Sequence, residues 1–545
     1  MTVVENPLLR GCYPDPSLCR AEDGYYLVAS TFEYFPALPI FRSRDLAHWE
    51  QIGHAVDRPG QMDFDGIPSS GGIYAPTIRF HEGTFYLVCT LVNPRQGAPG
   101  GNFLITATDP AGPWSDPVWL DVEGFDPSLF FDDDGRVWLH GNRLVADPEW
   151  EQQSEIWLRE LDLVTGRVSD EETILWTGAL IGGIWSEAPH LFRKDGRYYL
   201  LTAEGGTAQE HSVMIAAADA VQGPYRGNPA NPVLTHRHLG KGADVIGVGH
   251  ADLVEAPDGS WWAVALGMRP YGGYHYNLGR ETFLVPVTWE DGWPVFAPGQ
   301  GRLPAAVEVP TTATHVPGGA HTPAVSAPSA QESAGGVAGQ EAGVVGPDDL
   351  RWTALRAPIE SFAEPLPATG TGEVAGWRLR VQPADLTQPT TPSFLGIRQQ
   401  HMSFDAVATL ELSGLAAGER AGVVLRQSED HHITLSVHRT PEGDVLRAVR
   451  RLDGDETVIS EHRLPERIQE QQEQQGHLVR LGISAREQDY ALSIDGEHIA
   501  AVDGRVLDTV STGGFLGLWV GVFATSDGAP TNSTITLERF EYRPA

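Results

Sequence analysis

In residues 1–310 the apolar and polar positions fall into one phrase written five times. Each copy opens on a short apolar run next to a proline or an acid. It then turns on an acidic residue and a glycine and returns through an aromatic-rich strand. Tyr13-Pro14-Asp15-Pro16-Ser17-Leu18 leads to Glu22-Asp23-Gly24-Tyr25-Tyr26-Leu27-Val28, and Ala75-Pro76-Thr77-Ile78 to Glu82-Gly83-Thr84-Phe85-Tyr86-Leu87-Val88. Asp126-Pro127-Ser128-Leu129 leads to Asp134-Gly135-Arg136-Val137-Trp138-Leu139, and Ala188-Pro189-His190-Leu191 to Asp195-Gly196-Arg197-Tyr198-Tyr199-Leu200. The last copy runs from Ala251-Asp252-Leu253-Val254 to Asp258-Gly259-Ser260-Trp261-Trp262-Ala263. Copies lie roughly 50 to 65 residues apart, the spacing of propeller blades, and helical periodicity is nearly absent. Five copies predict a five-bladed β-propeller.

The pattern then changes twice. Residues 311–349 are Ala, Gly, Pro, Ser, Thr and Val with almost no large side chains. Such a stretch cannot bury enough apolar surface to offset its ordering entropy and reads as a linker or long surface loop. Residues 350–545 alternate again: Thr409-Leu410-Glu411-Leu412, Ile433-Thr434-Leu435-Ser436-Val437, and Tyr490, Leu492, Ile494 before an Asp495-Gly496 hairpin turn. Strands at this spacing without helices predict a β-sandwich, making the whole chain all-β. The Glu- and Gln-rich run 466–475 reads as a solvated loop.

In a propeller the innermost strand of every blade faces a central channel. If the residue before each repeat's proline begins that strand, these positions meet at one mouth. Three of them carry carboxylates: Asp15, Asp126 and Glu187, the last displaced by one residue from the repeat register. An acid before proline is also an ordinary turn former, as at Asp109-Pro110, Asp116-Pro117 and Asp147-Pro148. Three acids at equivalent repeat positions are harder to attribute to turns alone and point to chemistry at the channel mouth.

Composition narrows the partners. A formal net charge of -34 argues against nucleic acid and anionic membrane, and is compatible with a neutral substrate such as a sugar. Cys12, Cys19 and Cys89 form no disulfide framework and lack metal-site spacing. The start, Met1-Thr2-Val3-Val4-Glu5-Asn6-Pro7, has no basic region followed by an apolar run, and no 18-residue apolar segment occurs. A soluble cytoplasmic protein is the simplest expectation, with the oligomeric state, a homo-oligomer included, left open.

Several motifs together resemble glycoside hydrolase family 43, and within it the β-xylosidases with a C-terminal, concanavalin-like sandwich. They are Asn6-Pro7 with Tyr13-Pro14-Asp15-Pro16-Ser17, Ser30-Thr31-Phe32-Glu33-Tyr34-Phe35-Pro36, and Ser70-Gly71-Gly72-Ile73-Tyr74-Ala75-Pro76. Gly124-Phe125-Asp126-Pro127-Ser128-Leu129, Glu187-Ala188-Pro189-His190-Leu191, Thr202-Ala203-Glu204-Gly205-Gly206-Thr207 and Leu278-Gly279-Arg280-Glu281-Thr282 follow. Trp352 to Pro358 and Ser393 to His401 carry the likeness into the second domain.

The resemblance implies an exo-acting, inverting β-1,4-xylosidase that releases xylose from non-reducing ends of small oligosaccharides and needs no cofactor for its chemistry. Asp15 matches the general base, Glu187 the general acid, and Asp126 the third acid that tunes and orients the general acid. One carboxyl must stay protonated while another stays ionised, and a third nearby carboxylate raises its neighbour's pKa. Arg280 matches a substrate-binding arginine that can bridge sugar hydroxyls and the tuning Asp, with an ion pair to Glu281 as the plainer reading. Phe32, Tyr74, Phe125 and Thr207 match pocket positions, where Tyr74 stands in place of a frequent Trp. His250 matches a channel-lining histidine that in some relatives contacts a divalent ion, often calcium; the alternative is a histidine bonded to water or a carboxylate. In the second domain Gly514-Phe515-Leu516-Gly517-Leu518-Trp519-Val520-Gly521 matches a segment that closes the pocket, with Trp519 at its rim. The competing readings are an α-L-arabinofuranosidase or dual-specificity enzyme and, from another class, a non-catalytic carbohydrate-binding protein.

Overall fold

The computed structural model describes residues 1–310, 336–338, 343–367, 376–464 and 478–545. Five antiparallel sheets stand in a ring, one for each copy of the repeat. Their inner strands are Ser17–Ala21, Thr77–His81, Phe125–Phe131, Glu187–Lys194 and Ile246–Glu255. Each inner strand touches the next, and the fifth touches the first. Second strands such as Gly24–Val28 and Trp261–Met268 are buried at every position, because neighbouring blades cover both of their faces.

No blade borrows one of its four principal strands from another. The ring closes instead through Thr2–Glu5, which pairs with Ala306–Val309 outside the blade sheets. Val4, Leu9, Leu18, Trp49, Trp262 and Leu284 pack between the first and last blades beside that pair.

The channel axis is filled by one guanidinium. Arg79, from the second blade, donates from Nη1 to Ser17 Oγ of the first (3.2 Å) and Asp252 Oδ2 of the fifth (2.8 Å). Its Nη2 reaches Ser128 Oγ of the third blade (3.5 Å) and His190 Nδ1 of the fourth (3.0 Å). Ser17, Ser128, His190 and Asp252 occupy the same place in their repeats, two residues after the positions that carry the acids or, in the fourth and fifth blades, after Ala188 and His250. A single side chain is thus bonded to every other blade. Burial opposes the charge on Asp252, but Arg79 holds its carboxyl far below the usual carboxylate range.

The second domain packs an eight-stranded sheet against a six-stranded one. Phe404–Glu411 buries alternate residues, as its sequence predicts. Leu379, Leu395, Phe404, Leu435, Leu481 and Phe540 fill the core between the sheets. This domain begins earlier than its composition suggests: Gly343 and Val344 pair with Tyr542 and Glu541, and Val345 joins the core. Residues 343–349 therefore belong to the sandwich. The rest of the expected linker, apart from Gly336–Ala338 pairing with the first blade, lies outside the described residues, as does the 466–475 run.

The two domains share backbone and charge. Ala354–Leu355 pairs with Tyr34–Phe35 of the first blade. Arg426 of the sandwich and Glu33 of the propeller are both fully buried and face each other, and the Tyr34 hydroxyl accepts a bond from Arg426 Nη1 at 2.9 Å.

Candidate active site

Four of the five inner strands are entered through a residue in the left-handed region: Asp15 (φ 56°), Asp126 (φ 49°), Ala188 (φ 50°) and His250 (φ 45°). Register shifts mark the last three of these places, between Phe125 and Ser128, Glu187 and His190, and Gly249 and Ala251. Bulges of this kind re-aim the neighbouring side chains, and non-glycine residues held at positive φ concentrate at functional sites. They also account for the displacement of Glu187. In its blade the kink falls on Ala188, and the acid precedes it.

These kinks deliver Asp15, Asp126, Glu187 and His250 to one cavity of about 400 Å³. Of the other residues expected there, Phe32, Tyr74, Phe125, Thr207 and Arg280 also line it. Asp15 and Asp126 are buried and Glu187 is half-buried.

Asp15 sits among donors. Its Oδ1 accepts Arg280 Nη1 at 3.0 Å and its Oδ2 accepts the Ser30 hydroxyl at 2.7 Å, with His250 Nδ1 3.6 Å away. Burial pushes its pKa up, but Arg280, then His250 and Ser30, outweigh that and leave it below the usual carboxylate value. The other two acids go the opposite way. Burial and then the charge of Asp15 raise Asp126 to about 7; burial, then Asp126 and Asp15, raise Glu187 well above its ordinary value. The backbone N–H of Ala188 donates to Asp126 Oδ2 at 3.1 Å, which favours the ionised form there. Both members of the pair are thus pushed toward their protonated forms, with this one backbone bond opposing the shift at Asp126. One pocket thus sets a carboxyl pushed toward its ionised form beside two pushed toward the protonated form, the contrast that acid–base cleavage of a glycosidic bond requires.

Arg280 is placed by aromatics as well as by Asp15. Its guanidinium lies 5.6 Å from the Phe32 ring and 5.3 Å from the Phe515 ring, and Nη1 also donates to Thr207 Oγ1 at 3.2 Å. The ion pair anticipated with Glu281 does not form. Glu281 is fully buried and bound by Arg269 through two contacts of 2.6 and 2.9 Å.

Trp519 is not at the pocket rim. It is 1% exposed, stacks on Tyr34 with centroids 3.8 Å apart, and donates from Nε1 to Thr353 Oγ1 at 3.1 Å. It opens the strand Trp519–Thr525, whose residues are all buried, so it is held in the domain interface. The same segment does reach the pocket, through Phe515. Phe515 lies nearly parallel to Phe32 (6.1 Å, 15°) and edge-on to Tyr74 (5.9 Å, 79°). Trp185 and His211 line the cavity too. The signals for Trp185 and Phe515 were local: Trp185 stands two residues before the acid, and Gly513-Gly514 marks a turn just ahead of Phe515.

The residues around His250 do not fit a divalent ion. Among the described residues, no group of three or more His, Cys, Asp or Glu side chains comes together to hold one. Its two acidic neighbours are already neutralised, Asp15 by Arg280 and Asp252 by Arg79.

Residues 4–294 match the family described as glycosyl hydrolases family 43, and residues 348–543 the β-xylosidase C-terminal concanavalin A-like domain. A xylosidase/arabinosidase of Butyrivibrio fibrisolvens is 38% identical over 98% of both chains. The non-reducing end α-L-arabinofuranosidase of Bacteroides ovatus is 35% identical, covering 99% of this chain and 94% of its own. The crystal structure of a xylan β-1,4-xylosidase from Bacillus halodurans superposes with a TM-score of 0.83 at 30% identity, over 99% of this chain and 100% of the other. Propeller and sandwich agree with these matches, and the chain belongs to glycoside hydrolase family 43 and is a glycosidase.

Proposed function

We propose that the enzyme removes the terminal xylose from β-1,4-xylo-oligosaccharides with inversion. Asp15 is the general base that activates water, Glu187 the general acid that protonates the leaving oxygen, and Asp126 the carboxylate that keeps Glu187 protonated. The observation that carries the assignment is the opposite displacement of Asp15 and Glu187 within one cavity. Arg280 and Thr207 supply donors to sugar hydroxyls, while Phe32, Tyr74, Phe125 and Phe515 wall the sugar in. The chemistry needs no cofactor, because both proton transfers are between carboxyl groups and substrate or water.

Arabinofuranoside cleavage is the second reading, favoured by the names of the Butyrivibrio and Bacteroides relatives. Xylopyranose and arabinofuranose present similar hydroxyls to the same acids. Turnover of xylobiose against 4-nitrophenyl α-L-arabinofuranoside decides between them: the xylosidase reading expects the larger kcat/KM on xylobiose, and the reverse order overturns it. The anomer released, followed by NMR, tests inversion.

The pH profile tests the roles. Activity needs Asp15 ionised and Glu187 protonated, so kcat/KM on xylobiose is expected to be bell-shaped. The acidic limb falls below the ordinary carboxylate range because Asp15 is lowered. The alkaline limb belongs to the Asp126–Glu187 pair, in which Asp126 stands at about 7. Asp126→Asn removes a like charge beside Glu187 and should move the alkaline limb to lower pH. An unmoved limb would contradict the tuning role of Asp126.

A further inference from the structure

The pocket wall is made by two domains, and both halves are tied to one residue that faces no substrate. The Ser70 hydroxyl accepts the backbone N–H of Phe515 at 2.9 Å. Its carbonyl accepts the Tyr74 hydroxyl at 3.0 Å. Tyr74 and Phe515 are the edge-on pair of cavity aromatics, one from the propeller and one from the sandwich. We propose that Ser70 is a positioning residue that latches these two rings together and so sets the enzyme's grip on the terminal sugar. The second half of this statement rests on the glycosidase reading of the pocket.

Three independent features show that the latch is built. Ser70 has φ 65°, a conformation unfavourable for a residue with a side chain and one that glycine would adopt more readily. Across the contact stands Gly514, at which a Cβ would lie 2.6 Å from Ser70 Oγ, so a side chain there would displace the hydroxyl. The turn itself is clamped from both domains. Glu33 accepts the Ser70 N–H (3.2 Å) and the Ser69 hydroxyl (2.8 Å), and Glu429 accepts the Ser69 N–H (3.2 Å). Arg426 pairs with both carboxylates, at 3.3 and 2.9 Å, and Arg356 bonds both Glu429 and the Ile67 carbonyl. Four buried or nearly buried charges thus fix a turn whose outward bonds go to two pocket rings. Charge-assisted bonds of this kind are the strongest available for holding a loop.

Substitution separates the latch from mere stability. Ser70→Gly keeps the carbonyl and suits the positive φ, but deletes the hydroxyl. Thermal stability should then change little, because relief of the backbone strain offsets the lost hydrogen bond. The Phe515 amide, followed by hydrogen exchange, should lose protection by about three- to tenfold, the effect of one net hydrogen bond. KM for xylobiose should rise by a similar factor, with kcat within about twofold. Ser70→Ala should reproduce the KM rise while lowering Tm, since alanine tolerates the positive φ poorly.

Unchanged exchange at Phe515 in the glycine variant overturns the latch. Faster exchange with an unchanged KM leaves the hydrogen bond but overturns its role in gripping the sugar. If the unmodified enzyme cleaves neither xylobiose nor the arabinofuranoside, the functional reading fails, and the exchange measurement still decides the latch.

Discussion

Asp15→Asn is expected to cut kcat/KM by roughly 10³- to 10⁴-fold on xylobiose and on 4-nitrophenyl β-xyloside alike. Water must be deprotonated as it attacks whatever the leaving group, and the other two acids of the cavity are shifted toward their protonated forms. Asparagine is isosteric and keeps an oxygen for Arg280, so the loss reports the missing negative charge more than a collapsed site. Glu187→Ala should behave differently. On xylobiose the leaving alkoxide needs a proton, and a loss of about 10³-fold or more is expected. On the nitrophenyl substrate the phenolate departs without one, so most of the activity should survive. Parallel losses on both substrates for both variants would contradict the division of roles, and initial rates on the two glycosides are sufficient to see it.

Removing the sandwich should be nearly as damaging. Residues 1–310 alone lack Phe515, so Arg280 loses one of its two ring contacts and the pocket loses a wall. They also expose Tyr34, which Trp519 covers, and leave Glu33 without Arg426. Breaking a buried ion pair by deleting one partner costs on the order of 3–5 kcal/mol. Activity on the order of 1% of the full chain or less is therefore expected from the shortened protein, through the missing pocket wall and the destabilised fold together. In the full chain Phe515→Ala isolates the pocket contribution and should raise KM with the fold intact. A shortened propeller that hydrolyses xylobiose at the full-length rate would show the sandwich to be an accessory module.

The sequence made the blades and the acids legible because both are local. Alternation and Asp-Gly turns define each hairpin within about a dozen residues, and an acid beside a proline marks where the inner strand starts. Non-local partners were hidden. Arg79 reads as an ordinary strand residue, since its four partners stand between 49 and 173 positions away. The pairing of Glu281 with Arg269 rather than the adjacent Arg280 is hidden as well: Glu281 opens a strand and Arg280 lies on the bend before it, so neighbours in sequence serve different partners. Between Phe515 and Trp519 the larger ring was the natural choice for a rim. What decides it is where the strand begins, because Trp519 already pairs with Arg398 and Arg426 while Phe515 still lies on the turn.

The axial guanidinium also governs how the propeller can come apart. In a stack of repeats each unit touches only its neighbours, so stability is a sum of local terms and ends can fray one unit at a time. Arg79 cancels that independence. A ring missing any one of the other four blades would lack a partner of this half-buried cation, and losing the fifth would leave it without Asp252, its counter-ion. Intermediates with three or four formed blades therefore carry a charge penalty that the complete ring does not. Opening one of these blades is therefore expected to weaken the hold on Arg79 for all the others, which couples the blades beyond their nearest neighbours.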